Sequence, residues 1–344
     1  MTGSKKVTLK DVAEMAGVSP ATVSLVVQGK GNLKDETRES VLRTIEETGY
    51  SRKAPSTRKV QGAQFALVVD DIANPYFHAL YEGLDKVLAD AGACTSILST
   101  HDSIARQRQL LHDLWESGIA GVVLVPATGT TYLDLQEFEN RRRPLLMAVR
   151  RIGQSPFDYV GANPMVGMQL ATEHLAALGH EKIGFIGGYQ KNFAYSERYA
   201  GFASSLMSHG LELDPTLIRN GGSTRAFGYS AARDVLAAKN HPTALIGYND
   251  LVAIGIMDAV VASGLRVGKD IAVIGYDDIP EAALQPVPLT SVATPAEKLG
   301  EMVGQALQSW SLDRSSGSPL DITYPPRLIV RESCGASIET ENRS

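Results

Sequence analysis

VTLKDVAEMAGVSPATVSLVVQGKGNLKDETRESVLRTIEETGY, residues 7–50, separates into three short helices once its caps and apolar spacing are taken together. Thr8 with Asp11 three residues later has the form of a capping box, and Leu9, Val12, Ala13 and Ala16 share one helical face. Gly17 ends that helix. Ser19 is a good N-cap and Pro20 suits the first helical position, so a second helix runs from Pro20 to about Val27, burying Val23, Val26 and Val27. Only Gly17, Val18 and Ser19 separate the two, which is the spacing of a helix-turn-helix whose second helix enters a DNA major groove. A third helix, about Asp35 to Thr48, opens on Asp35 and Glu36 near its positive end, turns Val41, Leu42 and Ile45 inward and stops at Gly49.

Charge is divided unevenly around this segment. Residues 1–60 carry a net charge of +4 and the remainder −9, within a total of −5 over 344 residues. A basic head on an acidic body suits a nucleic-acid-binding module joined to a body that resists non-specific adhesion, although a small basic excess also describes an ordinary solvated face. No apolar run reaches the ~18 to 20 residues a membrane-spanning helix needs, and the amino terminus has no apolar leader core. Cys94 and Cys334 are too few and too far apart for a disulfide framework or a cysteine-based zinc site, so both read as free thiols of a cytoplasmic protein.

Beyond residue 62 the pattern changes to short apolar runs alternating with helices. FALVVD, ACTSILS, GVVLVP and PLLMAV read as buried parallel strands, with helices near Pro75 to Ala91 and Ser103 to Ser117. KIGFIGG, TALIGYND and IAVIGYDD form a second series, with helices near Met165 to Leu178, Ser196 to Gly210, Gly228 to Ala238 and Asp250 to Ser263. These alternations predict two doubly wound α/β lobes, separated by a break near Asp158 to Pro164. PLTSVATPAEKLGEMVGQAL and ITYPPRLIVRES cannot close a unit alone and are expected to cross between the lobes. The residues after Arg331 are polar and read as a frayed tail. The expected organisation is a headpiece over 1–50, a linker over 51–62, a two-lobed body over 63–335 and a disordered end over 336–344.

The head resembles, densely and in register, the headpiece of the lac-repressor (LacI/GalR) family of bacterial transcription regulators. The resemblance extends over almost the whole chain, through ANPYFHALYEGL, TEHLAALGHEKIGFIGG, RYAGF, YNDLVAIG, VIGYDD and LTSVATPAEKLG. It implies an all-α helix-turn-helix headpiece on an α/β body like a periplasmic sugar-binding protein, two lobes joined by three crossovers around a ligand cleft. By the family's pattern Thr8, Ser19, Thr22, Ser24, Gln28, Asn32 and Thr37 serve phosphate contacts, which position without specifying. The base-reading positions fall on Pro20, Ala21 and Leu25, whose readout would rest on apolar contact and DNA shape. In the cleft the resemblance assigns Arg198, Asn249 and Asp277 to polar effector contacts, with Tyr76 and Phe77 offering aromatic faces. Asn249, Asp250, Asp277 and Asp278 are equally residue types that cap helices and turns.

Three departures from the family pattern stand out. The minor-groove leucine of the hinge falls on Lys59, and Arg52, Lys53, Arg58 and Lys59 replace the apolar wedge with charge, favouring backbone contacts. Pro55 and Ser56 among charges also describe a flexible tether. In the body, Asn163-Pro164 and Ser223 stand where well-known members have other residues. SLVVQGKG, the Arg-containing linker and ATPAEKLG look similar to the branch that includes a repressor of maltose-system genes. No GxSxG, P-loop or HExxH occurs, and His174 and His180, six apart, do not share a helical face, so no enzyme chemistry, metal or cofactor is expected. The reading is a homodimeric DNA-binding regulator, a repressor, whose operator affinity a sugar-like small molecule controls; a carbohydrate-binding protein without a genetic role is the alternative. Leu25 lies on the face of the second helix opposite Val23, Val26 and Val27. Replacing it, Leu25→Arg, is expected to change the bases preferred in a binding-site selection while leaving the melting of the head cooperative at its original temperature; a large drop in melting temperature would make Leu25 core.

Overall fold

The computed structural model describes residues 9–19, 22–23, 37, 40–41, 44, 60–139, 143–153, 155–239, 241–310 and 319–336, and divides the chain into units Met1–Arg58 and Lys59–Ser344. In the first unit α1 (Leu9–Met15) buries Val12 and Ala13. It ends in a Schellman turn: Gly17, at φ +66°, donates to Glu14 O at 3.3 Å and Val18 to Ala13 O at 3.0 Å. Ser19 then accepts the Thr22 amide on its Oγ at 3.1 Å, the N-cap that the sequence implies, and Val23, one turn in, is fully buried. Thr37, Ser40, Val41 and Thr44 are helical, with Val41 and Thr44 buried. Leu42, Ile45, Val26 and Val27 lie outside the described side chains.

The second unit holds two six-stranded sheets. The first lobe begins with β1 (Gln64–Val69), α2 (Pro75–Asp90), β2 (Cys94–Ser99), α3 (Ile104–Glu116), β3 (Gly121–Leu124), α4 (Gln136–Glu139), β4 (Leu145–Ala148) and β5 (Asp158–Ala162). The second continues with α5 (Pro164–Ala177), β6 (Ile183–Ile186), α6 (Phe193–Ser208), β7 (Ile218–Arg219), α7 (Arg225–Leu236), β8 (Ala244–Gly247), α8 (Asp250–Ala262), β9 (Ala272–Asp277), α9 (Pro280–Ala283) and β10 (Thr290–Ala293). Then α10 (Ala296–Ser309) and β11 (Asp321–Tyr324) return to the first lobe, and β12 (Arg327–Ile329) to the second. Strand orders are β11-β5-β4-β3-β1-β2 and β12-β10-β9-β8-β6-β7, parallel throughout except for β12 against β10. The chain therefore crosses at Asn163, at Thr294–Pro295 and at Pro325–Pro326, the three crossovers expected.

The expected break at Asp158 to Pro164 is corrected: DYVGA is the strand β5, and Asn163 caps α5 directly by accepting the Val166 amide at 3.1 Å. The strand escaped notice because a glycine and an aspartate dilute its apolar run. Two helices also begin a turn earlier than their apolar spacing suggests, because Asn192 and Thr224 cap them upstream of Ser196 and Gly228. The tail after Arg331 is not frayed at its start. Ser333 and Cys334 are fully buried; the Ser333 hydroxyl donates to Val273 O at 2.6 Å and accepts the Thr290 amide at 2.8 Å, fastening β9 to β10.

Parallel sheets with both faces covered have nearly continuous apolar strands, and β1, β3, β4 and β8 are buried along almost their whole length. In the first lobe Leu80, Leu84 and Leu88 of α2 pack with Leu299, Val303 and Leu307 of α10 on one face, while Leu111 and Trp115 of α3 cover the other. Helices α2 and α10 touch through glycine: a methyl on Gly83 would strike the carbonyl of Glu297, and one on Gly300 that of Leu80. Among the described residues no helix is long and apolar enough to cross a membrane. Replacing Gly83 by Ala gains at most about 1 kcal/mol of helix propensity, but the obstruction is backbone and cannot yield, at about 1–3 kcal/mol for overpacking. Gly83→Ala is therefore expected to lower the urea midpoint; an unchanged or raised midpoint would show that the helices separate freely.

Candidate effector cleft

Polar side chains begin where the apolar runs of β1, β4 and β9 stop, at the carboxyl ends beyond which ligands of doubly wound sheets sit. Asp70 follows β1 and Arg150 follows β4; Arg150 Nη2 meets Asp70 Oδ2 at 2.8 Å with both residues buried. From the second lobe, α6 supplies Arg198 and the end of β9 supplies Asp277, again buried, with Arg198 Nη2 at 3.7 Å from Asp277 Oδ1. The Arg198 guanidinium carbon lies 3.7 Å from the ring centre of Tyr276 and 4.4 Å from that of Tyr248, and Nη1 donates to the Tyr248 carbonyl. Asp277 and Asp278 hold φ of +111° and +57°, a conformation that re-aims their carboxylates at the strand end.

The two charge pairs face one another across the lobes. Asp277 accepts from Asn74 of the first lobe and is attracted by Arg150 as well as Arg198. Burial outweighs these attractions and, helped by repulsion from Asp70, pushes the Asp277 carboxyl up to about 6. Burial likewise raises Asp70 despite Arg150, with Asp102 adding repulsion, and raises Asp250 well above the carboxylate range. Asp70 Oδ1, Arg150 Nη1 and Arg198 Nε are buried without a hydrogen-bond partner. Two donors and an acceptor left open in one cleft suit a ligand that both accepts and donates, as hydroxyl groups do.

Of the five body residues that the family pattern singles out, Arg198 and Asp277 come together, with Tyr76 beside them: its buried hydroxyl accepts from Thr294 Oγ1 at 3.1 Å, and burial with the nearby Asp277 raises its pKa. Arg198 is not free to point into the cleft as its helix position suggests; stacking and the Tyr248 carbonyl hold it. Asn249 is occupied as the N-cap of α8, accepting the Val252 amide at 2.9 Å and donating to Ser223 O at 3.1 Å. Phe77, edge-on to Tyr76 at 5.8 Å, lies in the first lobe's core. Asp250 fastens β10 and the turn after β9, accepting Ser291 Oγ at 2.6 Å and the Ile279 amide at 2.8 Å. Asp70 and Arg150 were missed, although VVD and AVR, a charge directly after a buried strand, carry the signal. In the head, Ser19 and Thr22 join hydroxyls at 2.9 Å, Thr37 is half-buried, and Thr8, Pro20, Ala21, Ser24, Leu25, Gln28, Asn32, Arg58 and Lys59 lie outside the described residues. Among the described residues no cluster of His, Cys, Asp or Glu could hold a metal; His174 Nε2 lies 3.3 Å from Cys334 Sγ and His180 Nδ1 2.9 Å from Thr243 Oγ1.

Because the folded Asp277 carboxyl titrates near 6 rather than 3.8, the folded chain binds more protons than the unfolded one between these values. Its contribution to stability is full below about pH 4 and declines by roughly 2–3 kcal/mol as the pH rises through 6. Asp277→Asn keeps the shape and removes the charge. Its urea midpoint should match wild type near pH 4 and exceed it at pH 7; a lower midpoint at pH 7 would mean that attraction to Arg198 and Arg150 outweighs burial.

Residues 8–53 match the profile of bacterial regulatory proteins of the lacI family, and residues 172–334 that of a periplasmic binding protein-like domain. The maltose regulon regulatory protein MalI of Escherichia coli (strain K12) is 28% identical over 342 residues, covering 96% of this chain and 99% of MalI. A solved complex of the transcriptional regulator CelR with cellobiose is 30% identical, covers 95% of this chain and 100% of that one, and superposes with a TM-score of 0.71. A lac repressor dimer bound to operator and an anti-inducer is 26% identical, covers 96% and 100%, and also gives 0.71. The chain belongs to the lacI family of bacterial regulatory proteins.

Proposed function

We propose that this chain represses transcription as a homodimer whose affinity for a two-fold operator is set by a sugar-like molecule bound between the lobes of its body. The observation that carries the reading is the cross-lobe cluster of Asp70, Arg150, Arg198 and Asp277, with unpartnered donors and an acceptor, in a body that follows a helix-turn-helix head. A ligand touching both pairs contacts both lobes at once, so its affinity depends on how the lobes are disposed, and by linkage it biases that disposition. The relation to CelR with its cellobiose supports a carbohydrate as the ligand. Pairing of two heads follows from arithmetic: one recognition helix reads only a few base pairs, and a two-fold site multiplies the discrimination. In this reading Ser19, Thr22 and Thr37, with Thr8, Ser24, Gln28, Asn32, Arg58 and Lys59, meet phosphates, and Pro20, Ala21 and Leu25 face bases. Asn249 and Phe77 act behind the ligand surface, through the cap and the core. A cytoplasmic location and the absence of enzyme activity belong to the same proposal.

The test is fluorescence anisotropy on the DNA upstream of the chain's own gene, repeated with a panel that includes cellobiose and other sugars. Deleting residues 1–58 should abolish binding and leave the body's melting unchanged. Intact protein should lose roughly 10³–10⁵ in affinity between 50 and 200 mM salt if six to ten phosphates are contacted. Salt-insensitive binding, or binding without the head, would refute the reading. Arg198→Ala, which strips a charged donor from a buried site at about 2–5 kcal/mol, should weaken the effector found by at least ~30-fold in calorimetry.

A further inference from the structure

A cavity of about 350 Å³ opens between the lobes beside the charge cluster, toward the small end of the ~300–1,000 Å³ range of small-molecule sites. Its wall joins the loop after β3, the residues after β4, and the start of α6. Three cationic side chains line it, Arg150, Arg151 and Lys191, and no aspartate or glutamate does. Two of the three have donors turned from any partner: Arg150 Nη1, on a residue 9% exposed, and Arg151 Nε. Lys191 is exposed and has no carboxylate partner among the described residues. The cavity also receives the amino end of α6, a sixteen-residue helix capped by Asn192, where backbone amides carry partial positive charge.

The neighbouring carboxylates lie outside that wall. Asp70 binds Arg150 through the opposite Nη2, Asp321 binds Arg151 Nη1 at 3.0 Å, and Glu197, half-buried, is pushed upward in pKa by burial. Asp70, Asp321 and Glu197 are thus absent from the lining, as are Asp134 and Glu139, which accept from the lining residues Thr131 and Tyr132, while Arg150, Arg151 and Lys191 belong to it. Tyr132 and Phe193, 37% and 38% exposed, stand at the same cavity and present apolar faces of the kind sugar rings stack on.

We propose that this cavity receives the anionic group of an acidic carbohydrate, a carboxylate or a phosphate, so that the effector is a sugar acid or sugar phosphate in preference to its neutral parent. The proposal rests on the cleft being the effector site and adds its charge selectivity. Calorimetric titration of the full chain at low ionic strength tests it, with glucose, galactose and maltose set against their uronate and 6-phosphate counterparts, and with inorganic phosphate alone. At least one acidic member should bind ten-fold or more tighter than its neutral parent, by a margin that shrinks as salt is raised. Uronate against phosphate then tells which anion the site takes. Lys191→Glu, an exposed position whose reversal leaves the fold intact, should cut the acid-to-neutral preference at least ten-fold.

Equal or tighter binding of the neutral sugars would overturn the charge selectivity and leave the cleft as a sugar site. Binding of no sugar, neutral or acidic, by a protein that still holds its operator would overturn both. Acidic sugars that bind no tighter than inorganic phosphate, with a preference untouched by Lys191→Glu, would likewise overturn the proposal.

Discussion

Two buried ion pairs facing each other across a cleft are the constraint around which the body is arranged. Taking four charged side chains out of water carries a penalty of several kcal/mol for each one, recovered only where partners are well placed. Here the partners come from different strands and helices: Asp70 and Arg150 from one sheet, Asp277 from the other and Arg198 from a helix over it. The recovery is incomplete, since Asp277 is held near 6 and three polar atoms have no partner. A surface so poised favours any molecule that can complete it.

Support for the cleft comes from how the helices are seated. Glycine lets α2 and α10 touch backbone to backbone, and the same device recurs in α7 and α8, where added methyls on Gly228 and Gly255 would strike the Val252 and Arg225 carbonyls. Close seating fixes helix against helix within each lobe, and the two lobes are joined by the three crossovers at Asn163, Thr294–Pro295 and Pro325–Pro326. Thr294 is itself bonded to Tyr76, so one crossover is in direct touch with the charge cluster's surroundings. Ser333 ties the last turn back to the starts of β9 and β10, at the opposite end of β9 from Asp277.

Local signals were legible wherever a residue's role is set by its immediate neighbours. Gly17, Ser19 and Ser103 mark helix ends because capping is an exchange between residues a few positions apart, and the apolar runs of β1, β3, β4, β6, β8 and β9 became strands because both faces of a parallel sheet are covered, whereas β2, also read as buried, is a half-exposed edge strand. The family resemblance located Arg198 and Asp277. DYVGA was hidden because a strand shielded by neighbours tolerates Gly161 and Asp158, and only its pairing between β4 and β11 makes it one.

What the amino-acid sequence determined alone is therefore the succession of elements, the helix-turn-helix head, the two-lobed α/β body and the family. Tertiary structure decided which charges meet. Asp70 and Arg150 are 80 residues apart, and nothing near either specifies the other. Asn249 could have been a ligand contact or a cap, and the choice fell to Val252 and Ser223, which claim both ends of its amide. Arg198 could point freely or be held, and two tyrosines at the ends of β8 and β9 hold it. Spacing along the chain reports hydrogen bonds closed within a turn of helix; ion pairs between strand ends depend on the order of strands in a sheet, which is written in no single segment.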